Sequence, residues 1–185
     1  MSTGEIPGYI AGTWTIDPTH SQVEFVVRHL MVSKVRGRFT QVEGTITTAP
    51  DPLASSAQAS IDLASITTNN EQRDGHLRSE DFFSVDTHPK MTYRSTGLRR
   101  KGSEYVADGE LTIRGITRPF ELLVEDNGFG PDPYGGTRLG LSASGDIVRS
   151  EFGVNWNAAL EGGGTVVSDK VHLELEIEAV LDQER

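Results

Sequence analysis

The sequence predicts an all-β protein, an extended antiparallel barrel of about eight strands with one helix against it, near residues 70–80. Three observations predict this. Apolar and polar residues alternate over long stretches, with one face wet and the other dry. Gly, Pro, Asn and Asp punctuate those stretches, and 20 glycines in 185 residues suit a chain with many turns. Helical signals concentrate in a single segment, Asn69 to Phe83.

The elements follow in order. Residues 1–12 read as a loose arm, and residues 13–185 as a single domain. Trp14 to Asp17 is short and extended, and Asp17-Pro18-Thr19-His20 is a turn. From Ser21, Val23, Phe25, Val27 and His29 share one face, while Gln22, Glu24, Val26 and Arg28 share the other. One strand is expected from Arg36 to Thr48, bent at Gly37 and Gly44, followed by Ser56 to Leu63. Past Pro89, Lys90–Leu98 and Tyr105–Ile113 flank a hairpin loop at Arg99–Glu104. Arg118–Glu125 leads to a long Gly/Pro-rich loop over Asp126–Gly136, and Arg138–Val148 to the clearest strand. There Val171, Leu173, Leu175, Ile177, Ala179 and Leu181 alternate with His172 and three glutamates. Such strands build a sandwich or a closed barrel. Small residues on the inward faces (Ala57, Ala59, Ala107, Gly109, Ala143, Gly145, Ala179) point to a barrel with a cavity. The alternative is that they match large side chains opposite.

The helix is unusual in composition. Asn69 and Asn70 are N-cap residues and Glu71 is acidic in the first turn. Leu77 is the sole apolar residue before Phe82-Phe83, so this helix cannot fill a core and must lie across the strands as a plug or lid. Arg73, Asp74 and Arg78 are expected to form a structural ion network, with one another or with Asp81 or Asp86, seating it on the barrel rim.

Composition limits the function. A formal charge of −10 and a pI near 4.9 disfavour nucleic acid and anionic membrane surfaces as partners. Without cysteine, thiol catalysis and thiolate metal sites are excluded. No apolar run approaches a membrane span, and the N-terminus lacks the basic and apolar regions of a secretory signal, so a cytoplasmic location is expected. The histidines His20, His29, His76, His88 and His172 show no metal-ligand spacing, and no metal or cofactor is expected. There is no Gly-x-Ser-x-Gly elbow, and Gly162-Gly163-Gly164 does not join a strand to a helix as a phosphate cradle would. Asp17 and His20 are placed to bond across their own turn, and His172 reads as solvated.

Several motifs lie in order along the chain: Ile16-Asp17-x-x-His20-Ser21-x-Val23-x-Phe25-x-Val27-x-His29; Gly37-x-Phe39; Arg73-Asp74-x-His76-Leu77-Arg78-Ser79-x-Asp81-Phe82-Phe83; Gly109-x-Leu111-Thr112-Ile113-x-Gly115-x-Thr117-x-Pro119; Arg149-Ser150-x-Phe152-Gly153; and Val167-Ser168-Asp169-x-Val171. In these the chain resembles the YceI-like proteins, polyisoprenoid-binding proteins with a lipocalin-like barrel. The resemblance implies an eight-stranded antiparallel barrel with the helix against it, a long apolar cavity able to take an isoprenoid chain, and a homodimeric tendency. It carries over no catalytic set.

The expected function is therefore binding, storage or transport of an isoprenoid lipid or isoprenoid quinone, without chemistry. Alternation places Val23, Phe25, Val27, Phe39, Ile61, Tyr93, Leu111, Leu122, Leu141, Leu173 and Leu175 on the cavity wall, with His29, Arg78 and Tyr93 as polar contacts. The alternatives are an enzyme acting on a hydrophobic small molecule in the same barrel, or an interaction protein whose barrel is filled by its own side chains.

Overall fold

Trp14 pairs with two strands at once, Ile46 on one side and Leu181 on the other, and this double pairing closes the sheet into a barrel. The computed structural model describes residues 6–158 and 166–182. The strands are β1 (Gly12–Ile16), β2 (Gln22–His29), β3 (Ser33–Phe39), β4 (Val42–Thr48), β5 (Ser56–Asp62), β6 (Ile66–Thr67), β7 (Lys90–Lys101), β8 (Glu104–Ile113), β9 (Ile116–Pro131), β10 (Thr137–Val148) and β11 (Lys170–Leu181). The closed ring runs β1-β4-β5-β7-β8-β9-β10-β11 and back to β1, eight strands, all antiparallel to their neighbours. The predicted barrel is thus present, with three further strands, β2, β3 and β6, branching from β11.

The branch arises because β11 is longer than either neighbour on that side. Its end, Ala179–Leu181, pairs with β1, and its start, His172–Glu176, pairs with β2. The Asp17–His20 turn between them is held as expected: Asp17 accepts from the Thr19 N–H at 2.9 Å and lies 2.7 Å from His20 Nδ1. At this end the helix α1 (Glu71–Arg78) covers the flank. Asn70 is its N-cap, accepting from the Arg73 N–H at 3.0 Å. Eight residues with no apolar stripe do not hold a helix alone, so its tertiary bonds decide its place.

Those bonds go to the strand ends rather than to other charges, which corrects the expected ion network. Buried Asp74 accepts from both the N–H and the hydroxyl of Thr68. Arg73 donates to Thr68 Oγ1 and O at 2.7 and 2.8 Å. Arg78 donates to the carbonyls of Ala64 and Ile66 at 3.1 and 3.0 Å. Behind the helix, Arg114 reaches from the β8–β9 turn to the carbonyls of Glu80 and Phe82.

Other local expectations are also corrected. The single strand expected from Arg36 to Thr48 is two, β3 and β4, broken at Thr40-Gln41, whose N–H groups both donate to Ser65 Oγ. Gly37 is not a bend: the Phe25 ring lies where its Cβ would stand. The loop expected over Asp126–Gly136 is mostly strand, and only Asp132–Gly136 turns, with Asp132 Oδ1 accepting from Tyr134 and Gly136 N–H groups. Residues 6–11, expected within a loose arm, cross the far end of the barrel. Tyr9 Oη donates to Ala49 O at 2.5 Å, its ring packs edge-on to Phe129, and Ile10 O accepts from Thr48 Oγ1 at 2.7 Å. Residues 1–5 and 183–185 of the expected arm and domain, and Gly162-Gly163-Gly164, lie outside the described residues.

Candidate functional site: an apolar barrel interior

The inner faces meet in one core cluster but do not fill the barrel. Val27, Tyr93, Leu141, Leu175 and Ile177 pack against the core yet stay half-buried, because each also borders a cavity. Three apolar cavities lie along the barrel. The first, about 230 Å³, is beneath the helix; the second, about 120 Å³, is at the middle; the third, about 130 Å³, is at the end crossed by residues 6–11. Met91 and Leu173 line both the first and the second; Ile46, Ala57, Ala107 and Leu141 line both the second and the third. The shared residues set the three cavities end to end inside one barrel.

The residues singled out by alternation divide among the cavities. Phe25, Val27, His29, Phe39 and Leu173 stand on the wall beneath the helix. Val23, Ile61, Tyr93, Leu111, Leu122, Leu141 and Leu175 line the middle. Arg78 lines none of these cavities, since its guanidinium is turned to Ala64 and Ile66; Arg73 takes the position on the wall. Of the small inward residues, Ala57, Ala59, Ala107 and Ala143 border the space, while Gly109 and Gly145 admit the rings of Tyr93 and Phe120. Both readings of those small residues thus apply, at different positions.

Polar groups gather beneath the helix. His76 lies edge-on between Phe82 and Trp156, with centroids at 5.0 and 4.8 Å, and its Nε2 is 2.8 Å from Asp81 Oδ2. Arg149, from the 3₁₀ turn Arg149–Phe152 after β10, is buried. Its guanidinium donates to the carbonyls of Ser168, Val154, Trp156 and Val167, and its Cζ stands 5.9 Å from the Phe82 ring centroid. Burial draws its pKa below the usual guanidinium value, with Asp169 opposing. Four carbonyls solvate this cation in place of water, which lets it sit in an apolar wall. Alternation missed Arg73, His76, Arg149 and Trp156, because none lies on a strand; the Arg149-Ser150-x-Phe152-Gly153 motif was the available signal.

In the middle cavity the polar lining residues are Gln58, Ser95 and Tyr93, and Ser95 Oγ accepts from the Ala57 N–H. The buried Tyr93 hydroxyl has no hydrogen-bond partner among the described residues. Burial, and secondarily the charge of Asp108, push its pKa up to about 12. The end of this neutral phenol lies over Gly109 of β8, which has no side chain to exclude it. No group of three His, Asp or Glu among the described residues is arranged to hold a metal ion.

Residues 14–179 match the family model of the YceI-like domain. A UPF0312 protein of Staphylococcus aureus (strain USA300) is 41% identical over 170 residues, covering 89% of this chain and 95% of that one. The crystal structure of a Campylobacter jejuni YCEI protein is 28% identical, with a TM-score of 0.72, over 84% of this chain and 90% of the other. A polyisoprenoid binding domain from Saccharophagus degradans shares the fold at 19% identity and a TM-score of 0.66, over 94% of this chain and 100% of its own.

Proposed function

This chain belongs to the YceI-like family, and on that footing we propose that it binds one extended isoprenoid lipid or isoprenoid quinone inside the barrel without transforming it. The observation that carries the reading is the end-to-end arrangement of three apolar cavities, each sharing lining residues with the next. A chain of apolar units fits such a shape, and a compact polar metabolite does not. Burying ~400 Å² of isoprenoid surface at ~25 cal/mol per Å² is worth ~10 kcal/mol before losses of motion. The fold shared with a polyisoprenoid binding domain supports the same ligand class. Tyr93 and the polar groups beneath the helix then choose the head group. The reading carries two further expectations, a homodimer and a cytoplasmic location, measured by sedimentation velocity and by cell fractionation.

A second reading, an enzyme on a hydrophobic small molecule, has one observation in its favour. His76 lines the cavity beneath the helix and is within hydrogen-bond reach of Asp81. Native mass spectrometry of freshly purified protein, with extraction of the released lipid, separates the two. An intact isoprenoid recovered after prolonged incubation supports binding. A product that accumulates with time, and fails to do so in His76→Asn, replaces it with catalysis.

A further inference from the structure

The turn joining β2 to β3 is built against the rules of turn chemistry. His29 pairs with Ser33, and Leu30, Met31 and Val32 form the tip between them, with the Val32 N–H donating to His29 O at 3.2 Å. Leu30 and Met31 both have positive φ, 54° and 62°. Such positions favour Asn and Gly, because a larger side chain crowds its own carbonyl there. The fold covers these side chains only in part: Leu30, Met31 and Val32 are 40, 52 and 82% exposed. Local propensity does not explain an apolar tip here, and burial does so least for Val32.

The charges beside the tip are segregated. Arg28 lies opposite Lys34, and Val26 opposite Arg36, on the outer face of the hairpin. With Lys170, His172 and Glu174 of β11 they line a shallow depression on that face, in which Lys170 is paired with Asp146 and Glu174 lies beside His172. No ion pair among the described residues engages Arg28, Lys34, Arg36 or Arg38, although the protein carries ten net negative charges. The acidic residues of these two strands begin only at Glu24, further from the tip. At physiological salt, charges more than ~8 Å away are largely screened, so the local cations govern what approaches. The base of the tip also borders the cavity: His29, Val166 and Val167 line the space beneath the helix, and the Leu30 N–H donates to Val166 O.

We propose that this hairpin is a membrane-docking element: Leu30, Met31 and Val32 enter the apolar boundary of a bilayer, and Arg28, Lys34 and Arg36 hold its anionic head groups. The end of the barrel beneath the helix then faces the membrane. The proposal concerns the outer surface and is independent of which molecule fills the cavity.

Co-sedimentation of the full chain with vesicles tests it, using phosphatidylcholine alone and phosphatidylcholine mixed with phosphatidylglycerol. Binding is expected to the mixed vesicles only, falling as salt is raised. Lys34→Gln with Arg36→Gln should weaken partition about 25-fold, at about fivefold per cation. Leu30→Asn with Met31→Gly gives the turn the residues it favours and removes the apolar tip. That variant should melt higher than the parent while losing about tenfold or more in partition. Absence of binding to mixed vesicles at low salt overturns the proposal. So does undiminished binding by the more stable turn variant. So does a tip variant that splits a dimer without altering vesicle binding, which makes the tip a contact between copies of the chain.

Discussion

Asp74 and Thr68 are bonded twice: the buried carboxylate accepts from the Thr68 N–H at 2.9 Å and from its hydroxyl at 2.5 Å. Thr68 lies just past β6 and Asp74 within the first turns of the helix, so this pair sets the angle at which the helix leaves the strand. Arg73 closes the same knot from the other side through Thr68 Oγ1 and O.

Asp74→Ala leaves the Thr68 N–H and hydroxyl buried without their acceptor. The expected loss is about 1–3 kcal/mol, or about 2–4 °C in melting temperature per kcal/mol for a chain of this size. Differential scanning calorimetry measures it. Asp74→Asn, which keeps one acceptor oxygen, should recover part of the loss. An unchanged melting temperature for the alanine variant would remove the anchor role.

The Arg138 cluster sets an acid limb. Arg138 lies 2.8 Å from Asp17 and 2.8 Å from Asp132. Arg138 first, and His20 second, hold the Asp17 carboxyl well below its ordinary value of 3.8. A depressed folded pKa gives stability that is present above pH ~4 and is lost as pH falls below it. Arg138→Met should therefore lower the melting temperature at neutral pH. The gap between variant and parent should narrow on titration from about pH 5 to pH 2. A gap that stays constant with pH would show that Arg138 acts through packing alone.

Tyr93→Phe removes a buried hydroxyl that has no partner. Stability should hold or rise, since the desolvation cost of the hydroxyl disappears. In the parent, the phenol titrates at about 12. A raised folded pKa means stability is intact below pH ~10 and declines as pH climbs towards 12. Absorbance titration of the tyrosinate, compared with the Phe variant, checks both statements. If the hydroxyl serves a guest, the Phe variant should weaken binding of a quinone and leave a plain isoprenoid hydrocarbon unaffected.

Leu173 lines both the cavity beneath the helix and the middle cavity, while its neighbour Glu174 is exposed. Leu173→Arg places an unpaired cation in apolar space and should abolish retained lipid. Glu174→Ala should leave it intact. Lipid extracted from each variant, after circular dichroism confirms folding, is the readout. Equal loss in both would mean that the guest is not held by this part of the wall.

The sequence by itself determined the all-β class, the α-helix with Asn69 or Asn70 at its cap, and the faces of the long alternating strands such as β2 and β11. Alternation is a local property: once a residue is inward, its neighbours two positions away follow. That logic located Leu173, Leu175, Leu111 and Phe25. It failed where one residue was inserted. In β7 the register slips at Thr96, between Ser95 and Gly97, so Tyr93 and then Leu98 face the interior despite opposite parity. In β9 a slip at Asn127 turns Phe129 inward after Phe120, Leu122 and Val124. A bulge is set by pairing with the next strand and has no reliable local signature. The closure of β1 on β11, the bonding of Arg149 to four carbonyls, and the lateral clustering of Arg28, Lys34 and Lys170 have the same origin. Each joins residues distant in sequence whose proximity is decided by strand register, and register is settled only when the whole sheet has closed.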